Sequence, residues 1–211
     1  ASFGTTTLGS AGAHAVFVGA VSSDGTWQWA VQAGGASMDV GNDIAVDSFG
    51  TSYVAGYYRD TASFGSANLT SAGDDDLFVG AVSSAGTWQW VVRAGGRGND
   101  VGSAIAIDSS GTSYVTGYFR ETAAFGSTRL TASGNTFDAF VASVSRDGTW
   151  QWVVANGGQS DARGKGIDVD SSGTRVYVTG FFGADGTTAT ATFGPATLTA
   201  AGSTDAFVAG M

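Results

Sequence analysis

The sequence predicts an all-β fold built of β-propeller-type blades, about three and a third four-stranded antiparallel repeats of about 61 residues. The first observation is a fixed period. A Phe-Gly pair recurs at Phe3, Phe64, Phe125 and Phe193, with spacings of 61, 61 and 68. Gly-Thr-Trp recurs at Gly25, Gly86 and Gly148, and an apolar-Asp-Ser-x-Gly-Thr turn at Asp47, Asp108 and Asp170. A period of this length marks repeat architectures, each repeat being one supersecondary unit. The second observation is that every period reads as short strands joined by turns. The third is that no segment shows the i, i+3, i+4, i+7 spacing of an amphipathic helix. A β-solenoid is the nearest rival, but its coils are usually shorter and its strands parallel.

The elements of one unit follow in order. Residues 104–108 form a short apolar run, and Ser109-Ser110-Gly111-Thr112 supplies turn chemistry, hydroxyls that bond the backbone followed by a glycine tolerant of positive φ. Residues 113–120 (SYVTGYFR) are aromatic and β-branched, which predicts a second strand and hence a hairpin. A linking segment runs through Phe125-Gly126 and Leu130. Residues 138–145 (DAFVASVS) predict strand three, Arg146-Asp147-Gly148 a turn, and residues 149–155 (TWQWVVA) strand four. Gly157-Gly158 ends the unit. Four short hairpin-linked strands at fixed spacing fit a propeller blade better than a sandwich.

Composition bounds the function. Hydrophobic residues make up 43% and charged residues 13%, too apolar and too weakly charged for disorder. The 34 glycines with one proline suit many turns, not collagen. A net charge of −9 argues against nucleic acid and anionic membranes, which attract basic patches. The absence of cysteine excludes disulfides, thiolate metal sites and cysteine nucleophiles. No apolar run approaches the roughly 20 residues of a membrane span, so membrane insertion is not expected. The sequence starts at Ala1, as a processed exported chain or a trimmed one would.

The run from Ile105 to Gly117 (IAIDSSGTSYVTG) resembles the core of the bacterial SBBP-type β-propeller repeat, found in secreted and cell-surface proteins. The Asp-Ala-Phe-Val-Ala run at Asp138 and Asp205 is similar to its third strand, and Gly34, Gly95 and Gly157 open pairs similar to its end. The resemblance implies an extracellular or cell-surface location and says little about activity. It also implies that the Ile-Ala-Val-Asp strand lines the central axis and that the Trp strand lies outermost. The third unit departs from the pattern, with five extra positions within residues 182–191. Such insertions map to surface loops, often on a binding face; a lengthened hairpin with no role fits equally.

The tryptophans form pairs, Trp27/Trp29, Trp88/Trp90 and Trp150/Trp152, and spacing of two puts each pair on one face of a strand. They are candidates for a glycan platform or for packing between blades. A buried Trp covers roughly 150–250 Å², worth on the order of 4–6 kcal/mol gross, which favours packing. Asp76, Asp138 and Asp205 precede strand three, where the first copy has Ala15, and Asp47, Asp108 and Asp170 close strand one. Turn hydrogen bonds account for both sets. No cofactor is expected. Calcium is the metal these acids leave open, although Asp74-Asp75-Asp76 is spaced consecutively rather than at the alternating positions of calcium loops.

Catalysis is not expected. His14, the sole histidine, occupies the position of Asp75 and Phe137 in the neighbouring copies, as a surface loop residue would, and Glu121 is the only glutamate. No acid, base or nucleophile constellation stands out from the repeat background.

The ends of the chain are out of phase. Residues 37–96 and 98–158 make complete units, 159–211 supplies strands one to three, and 1–35 supplies strands three and four. Strand three therefore occurs four times, at Phe17, Phe78, Phe140 and Phe207, and the other strands three times. An open arc of this kind exposes apolar faces and strand edges. Association between chains resolves this, and a chain that is a fragment of a longer repeat protein accounts for it equally. Complementary partial repeats, marked by Phe3, Phe17, Phe193 and Phe207, would meet head to tail in a ring or a filament. The expected partner is thus a second copy, with a glycan or surface protein as the alternative.

Overall fold

A computed structural model describes residues 1–10, 12–183 and 189–210. Its elements are all β-strands. The chain opens with a two-stranded hairpin, β1 (Ser2–Phe3) and β2 (Thr6–Thr7), followed by the antiparallel pair β3 (Val16–Val21) and β4 (Trp27–Gly35). These are strands three and four of a first, partial blade. The second blade is complete: β5 (Asp39–Val46), β6 (Ser52–Phe64), β7 (Ala67–Val82) and β8 (Trp88–Gly96), paired antiparallel in that order. The third blade has β9 (Val101–Ile107), β10 (Ser113–Arg120), an inserted hairpin β11 (Thr122–Phe125) and β12 (Thr128–Thr131), then β13 (Phe137–Val144) and β14 (Trp150–Asn156). The fourth holds β15 (Asp161–Val169), β16 (Val176–Gly183), a hairpin β17 (Thr190–Phe193) and β18 (Ala196–Thr199), and β19 (Thr204–Gly210). Strand three is present four times among the described residues, as β3, β7, β13 and β19.

The turns follow from their residues. In the hairpin of strands one and two, Asp108 Oδ1 accepts the amides of Ser110 and Thr112 at 2.8 and 3.0 Å, and Gly111 sits at φ 87°. Asp47 makes the same bonds to Phe49 and Thr51. This is an Asx turn closed by a glycine in a conformation costly for other residues. Between strands three and four, Gly25, Gly86 and Gly148 do the same at φ 86°, 77° and 79°.

The segment through Phe125-Gly126 and Leu130 is a β-hairpin with a two-residue Gly-Ser loop, not a plain link. In the second blade the same hairpin is continuous with the long strands β6 and β7, and the chain turns the corner at Asp60 (φ 59°); Glu121 (φ 62°) is its counterpart. Each hairpin reaches back and pairs with strand four of the preceding blade. Ala62, Ser63 and Phe64 pair with Gly35, Gly34 and Ala33 of β4, and Ala123, Ala124 and Phe125 with Gly96, Gly95 and Ala94 of β8. The blades are therefore latched by backbone bonds as well as stacked. Among the described residues the fourth blade's latch is one bridge, Gly157 to Thr192. Of the inserted stretch, 184–188 lie outside the described residues.

The core lies between blades. Val16, Val18 and Ala33 of the first meet Val54, Tyr58, Phe64, Phe78 and Val82 of the second. The second blade's other face gives Tyr53, Leu77 and Val79 to the third blade's Ile105, Val115, Phe119, Phe125 and Phe140. Tyr114, Ala139 and Val141 then meet Val178, Phe182, Phe193 and Phe207 of the fourth. The same positions are used at every interface, which is how one repeat builds a row. The strand-one elements follow one another along one side, β5 against β9 and β9 against β15, and in the second and third blades strand four stands at the other end of the blade's strand order from strand one.

Candidate functional site

The tryptophans are set between blades. The first of each pair packs edge-on to the Phe of its own latch hairpin, Trp88 on Phe64 and Trp150 on Phe125, both at 5.2 Å. Its indole N–H donates to strand four of the preceding blade: Trp88 to the Gln32 carbonyl at 3.2 Å, Trp150 to the Arg93 carbonyl at 3.0 Å. The second of each pair points the other way along the row. Trp29 donates to the Ser84 carbonyl at 2.8 Å and Trp90 to the Arg146 carbonyl at 2.9 Å, each lying against the turn between strands three and four of the following blade. The two tryptophans at the ends of the row, Trp27 and Trp152, are the exposed ones, at 38% and 36%. The motif is thus an interblade lock, and an end tryptophan is a lock with no counterpart. Trp90→Ala is expected to cost about 2–4 kcal/mol of stability, from lost area and a carbonyl left without its donor. Trp152→Ala should cost under about 1 kcal/mol. Urea denaturation of the two variants checks the contrast.

Carboxylates line the same interfaces, one rim inward. Asp39 Oδ2 accepts the Gly35 amide and Asp100 Oδ2 the Gly96 amide, both at 2.7 Å. Asp76 accepts the Ala72 amide at 3.1 Å and Asp138 the Ser133 amide at 2.9 Å. At the outer two interfaces one member of the carboxylate pair is an alanine. Ala15 stands opposite Asp39, and Ala162 takes the register position of Asp39 opposite Asp138. Only the middle interface has both, Asp76 and Asp100. There Arg93 reaches Asp76 Oδ2 at 2.9 Å, where the sister blades have Gln32 and Ala155. Burial, with the Asp76 charge added, pushes the Asp100 carboxyl up to about 8. Burial also holds Asp39, Asp76 and Asp138 above the ordinary carboxylate range. Among the described residues no three His, Cys, Asp or Glu side chains come together as a metal-ligand group. The triplet Asp74-Asp75-Asp76 is divided: Asp75 pairs with Arg59 at 2.9 Å while Asp76 turns to Arg93. His14 is exposed and its backbone bridges Met38.

The ends of the row are uncovered copies of its interior. Phe17 and Val21 hold the positions of Phe78 and Val82, and of Phe140 and Val144. The interior four are 0% exposed; Phe17 is 56% and Val21 49%. The first blade also lacks strands one and two, which leaves Ile44 and Val46 of β5 exposed. At the other end Val208 is 77% exposed, where its counterparts Val79 and Val141 are at most 1%, and Tyr177 stands open where Tyr53 and Tyr114 are buried. Phe3 packs tilted on Phe17 and edge-on to Trp27, each at 5.0 Å, while Phe193 packs on Phe207 at 4.2 Å. Of the four residues marked for assembly, Phe17 faces outward. Phe3 is half-buried, and Phe193 and Phe207 are inside the fourth blade.

A family model described as a beta-propeller repeat, SBBP, matches residues 28–57 and 89–118. The chain carries two SBBP-type β-propeller repeats. Each matched stretch runs from strand four of one blade through strands one and two of the next, so the motif describes an interface more than a blade. The chain is also 24% identical, over 193 aligned positions, to an uncharacterized WD repeat-containing protein of Acanthamoeba polyphaga mimivirus. That alignment covers 77% of this chain and 14% of the viral protein, so the chain spans a small part of its relative's length. No helix among the described residues is long and apolar enough to cross a membrane.

Sequence reasoning missed two features of this region. The latch hairpins carried a signal, a Gly-Ser pair between alternating Thr/apolar runs, which reads as a tight hairpin. The pairing of Asp76 with Asp100 carried none, because the two belong to different blades and meet only once the blades stack.

Proposed function

We propose that the protein is a non-catalytic structural component, exported to the cell surface or beyond, that works by head-to-tail self-association. The observation that supports this is the pair of uncovered end faces. Phe17 and Val21 at one end and Tyr177 and Val208 at the other are the two halves of an interface the chain already makes three times within itself. A second copy presents the missing half at each end. The contact is heterologous, so it closes into a ring or runs on as a filament according to its rotation. Two copies supply enough blades for a ring in the usual four-to-eight range.

Light scattering of the 211-residue chain tests this. The expected mass is a multiple of 21.1 kDa that falls with dilution. Phe17→Asp and Val208→Asp, each placing a charge on one end face, should each return the protein to monomer. A monodisperse 21.1 kDa species at all concentrations removes the proposal.

A further inference from the structure

In the second, third and fourth blades, strand one carries a β-bulge at the same position. Asn42 is the extra residue between Gly41 and Asp43 of β5, Ser103 that between Gly102 and Ala104 of β9, and Lys165 that between Gly164 and Gly166 of β15. A glycine of strand two lets strand one press in beside each bulge. A Cβ on Gly56, Gly117 or Gly180 would lie 2.0, 1.9 or 2.0 Å from the carbonyl oxygen of Val40, Val101 or Arg163. A bulge takes one residue out of the ladder and re-aims its side chain, and bulges are frequent beside active sites.

The three bulged residues have different partners. Asn42 donates to the Gly102 carbonyl of the next blade at 2.8 Å. The Ser103 hydroxyl oxygen is buried and has no partner among the described residues. Lys165, the only lysine in the sequence, is exposed, with Nζ 5.2 Å from the Tyr118 ring centre and 5.8 Å from that of Phe181. All three line one cavity of about 280 Å³, together with Tyr57, Val101 and Tyr118. The positive charge there is uncompensated. Asp161 is paired with Arg163 at 3.1 Å and Asp75 with Arg59 at 2.9 Å, while Asp43 accepts the Ile44 and Ile105 amides. Lys165 makes no ion pair among the described residues. Desolvation, with repulsion from Arg163 added, holds its ammonium below the ordinary lysine range. An anion beside the ammonium would offset both.

We propose that this cavity binds a small anion, its carboxylate or phosphate group taken by the Lys165 ammonium and the Ser103 hydroxyl, and the rest of the molecule flanked by Tyr57 and Tyr118. Cavities for drug-sized ligands run roughly 300–1,000 Å³, so about 280 Å³ suits a single sugar acid or a phosphate. The inference goes beyond the head-to-tail reading and uses neither end face.

The test is an NMR titration of the full chain, read at the Ser103 and Lys165 amides, with glucuronate, inorganic phosphate and glucose as probes. Saturable shifts with at least one of the two anions, at a Kd of about 1 mM or below, and none with glucose are expected. Glucuronate alone marks a carboxylate ligand, phosphate alone a phosphate one, and both together a site that reads charge. Lys165→Met keeps the length of an exposed side chain and removes its charge, and should weaken binding by about tenfold or more. Ser103→Ala should weaken it by roughly threefold to tenfold. No saturable shift with either anion, glucose moving the same resonances equally, or an unchanged affinity in Lys165→Met overturns the inference.

Discussion

Phe140→Ala is expected to lower the unfolding free energy by about 3–5 kcal/mol, and Phe17→Ala by under about 1 kcal/mol. The two residues hold one position of the repeat, so side-chain chemistry and strand register are held constant. Phe140 is 0% exposed, packed at a tilt against Phe125 at 5.0 Å and clustered with Val79 and Val115 from two blades. Removing its ring leaves a cavity that two latched sheets cannot easily collapse. Phe17 loses only contact with Phe3 and partial burial. Urea unfolding of both variants, at dilutions where the chain is monomeric, gives the comparison. Equal costs would mean that the interior interfaces are not where the stability resides.

The second large effect is a loss of stability on raising the pH. Asp100 has a carboxyl pushed up to about 8 by burial beside Asp76, against an ordinary value near 4 when unfolded. The folded state therefore binds this proton more tightly than the unfolded state does. Its contribution is complete below the unfolded value, erodes as pH rises, and is lost once pH passes through about 8. The urea midpoint should fall between pH 5 and pH 9. Asp100→Asn keeps an acceptor for the Gly96 or Arg120 amide and cannot ionise. It should flatten that slope and gain on the order of a few kcal/mol over the natural chain at pH 9. Asp39, Asp76 and Asp138, raised in the same direction, leave a residual slope. A midpoint that rises with pH, or an unchanged slope in the variant, would refute the buried-proton reading of the middle interface.

Blade identity was legible in the sequence because it depends on local signals. The Asx turns at Asp47 and Asp108, the aromatic strand after each, and the Gly-Thr-Trp turn are contained within a few residues. The surplus strand three was legible for the same reason, as a matter of counting Phe17, Phe78, Phe140 and Phe207. What joins blades was less so. The tryptophans could be assigned to packing on area, but not their acceptors, since Gln32 and Trp88 lie 56 residues apart. Asp100 reads as one more acid before a strand until the second blade brings Asp76 to it.

The latch hairpins give the row a direction. Each hairpin grips the blade before it, never the one after, so a blade can be shed from the C-terminal side without disturbing its neighbour's backbone bonds. The grips are also unequal: three residue pairs hold each of the second and third blades, and among the described residues one Gly157–Thr192 bridge holds the fourth. The molecule is in this sense a zipper with a loose last tooth. Disassembly under heat or pull would begin at the fourth blade, which among the described residues has the weakest latch.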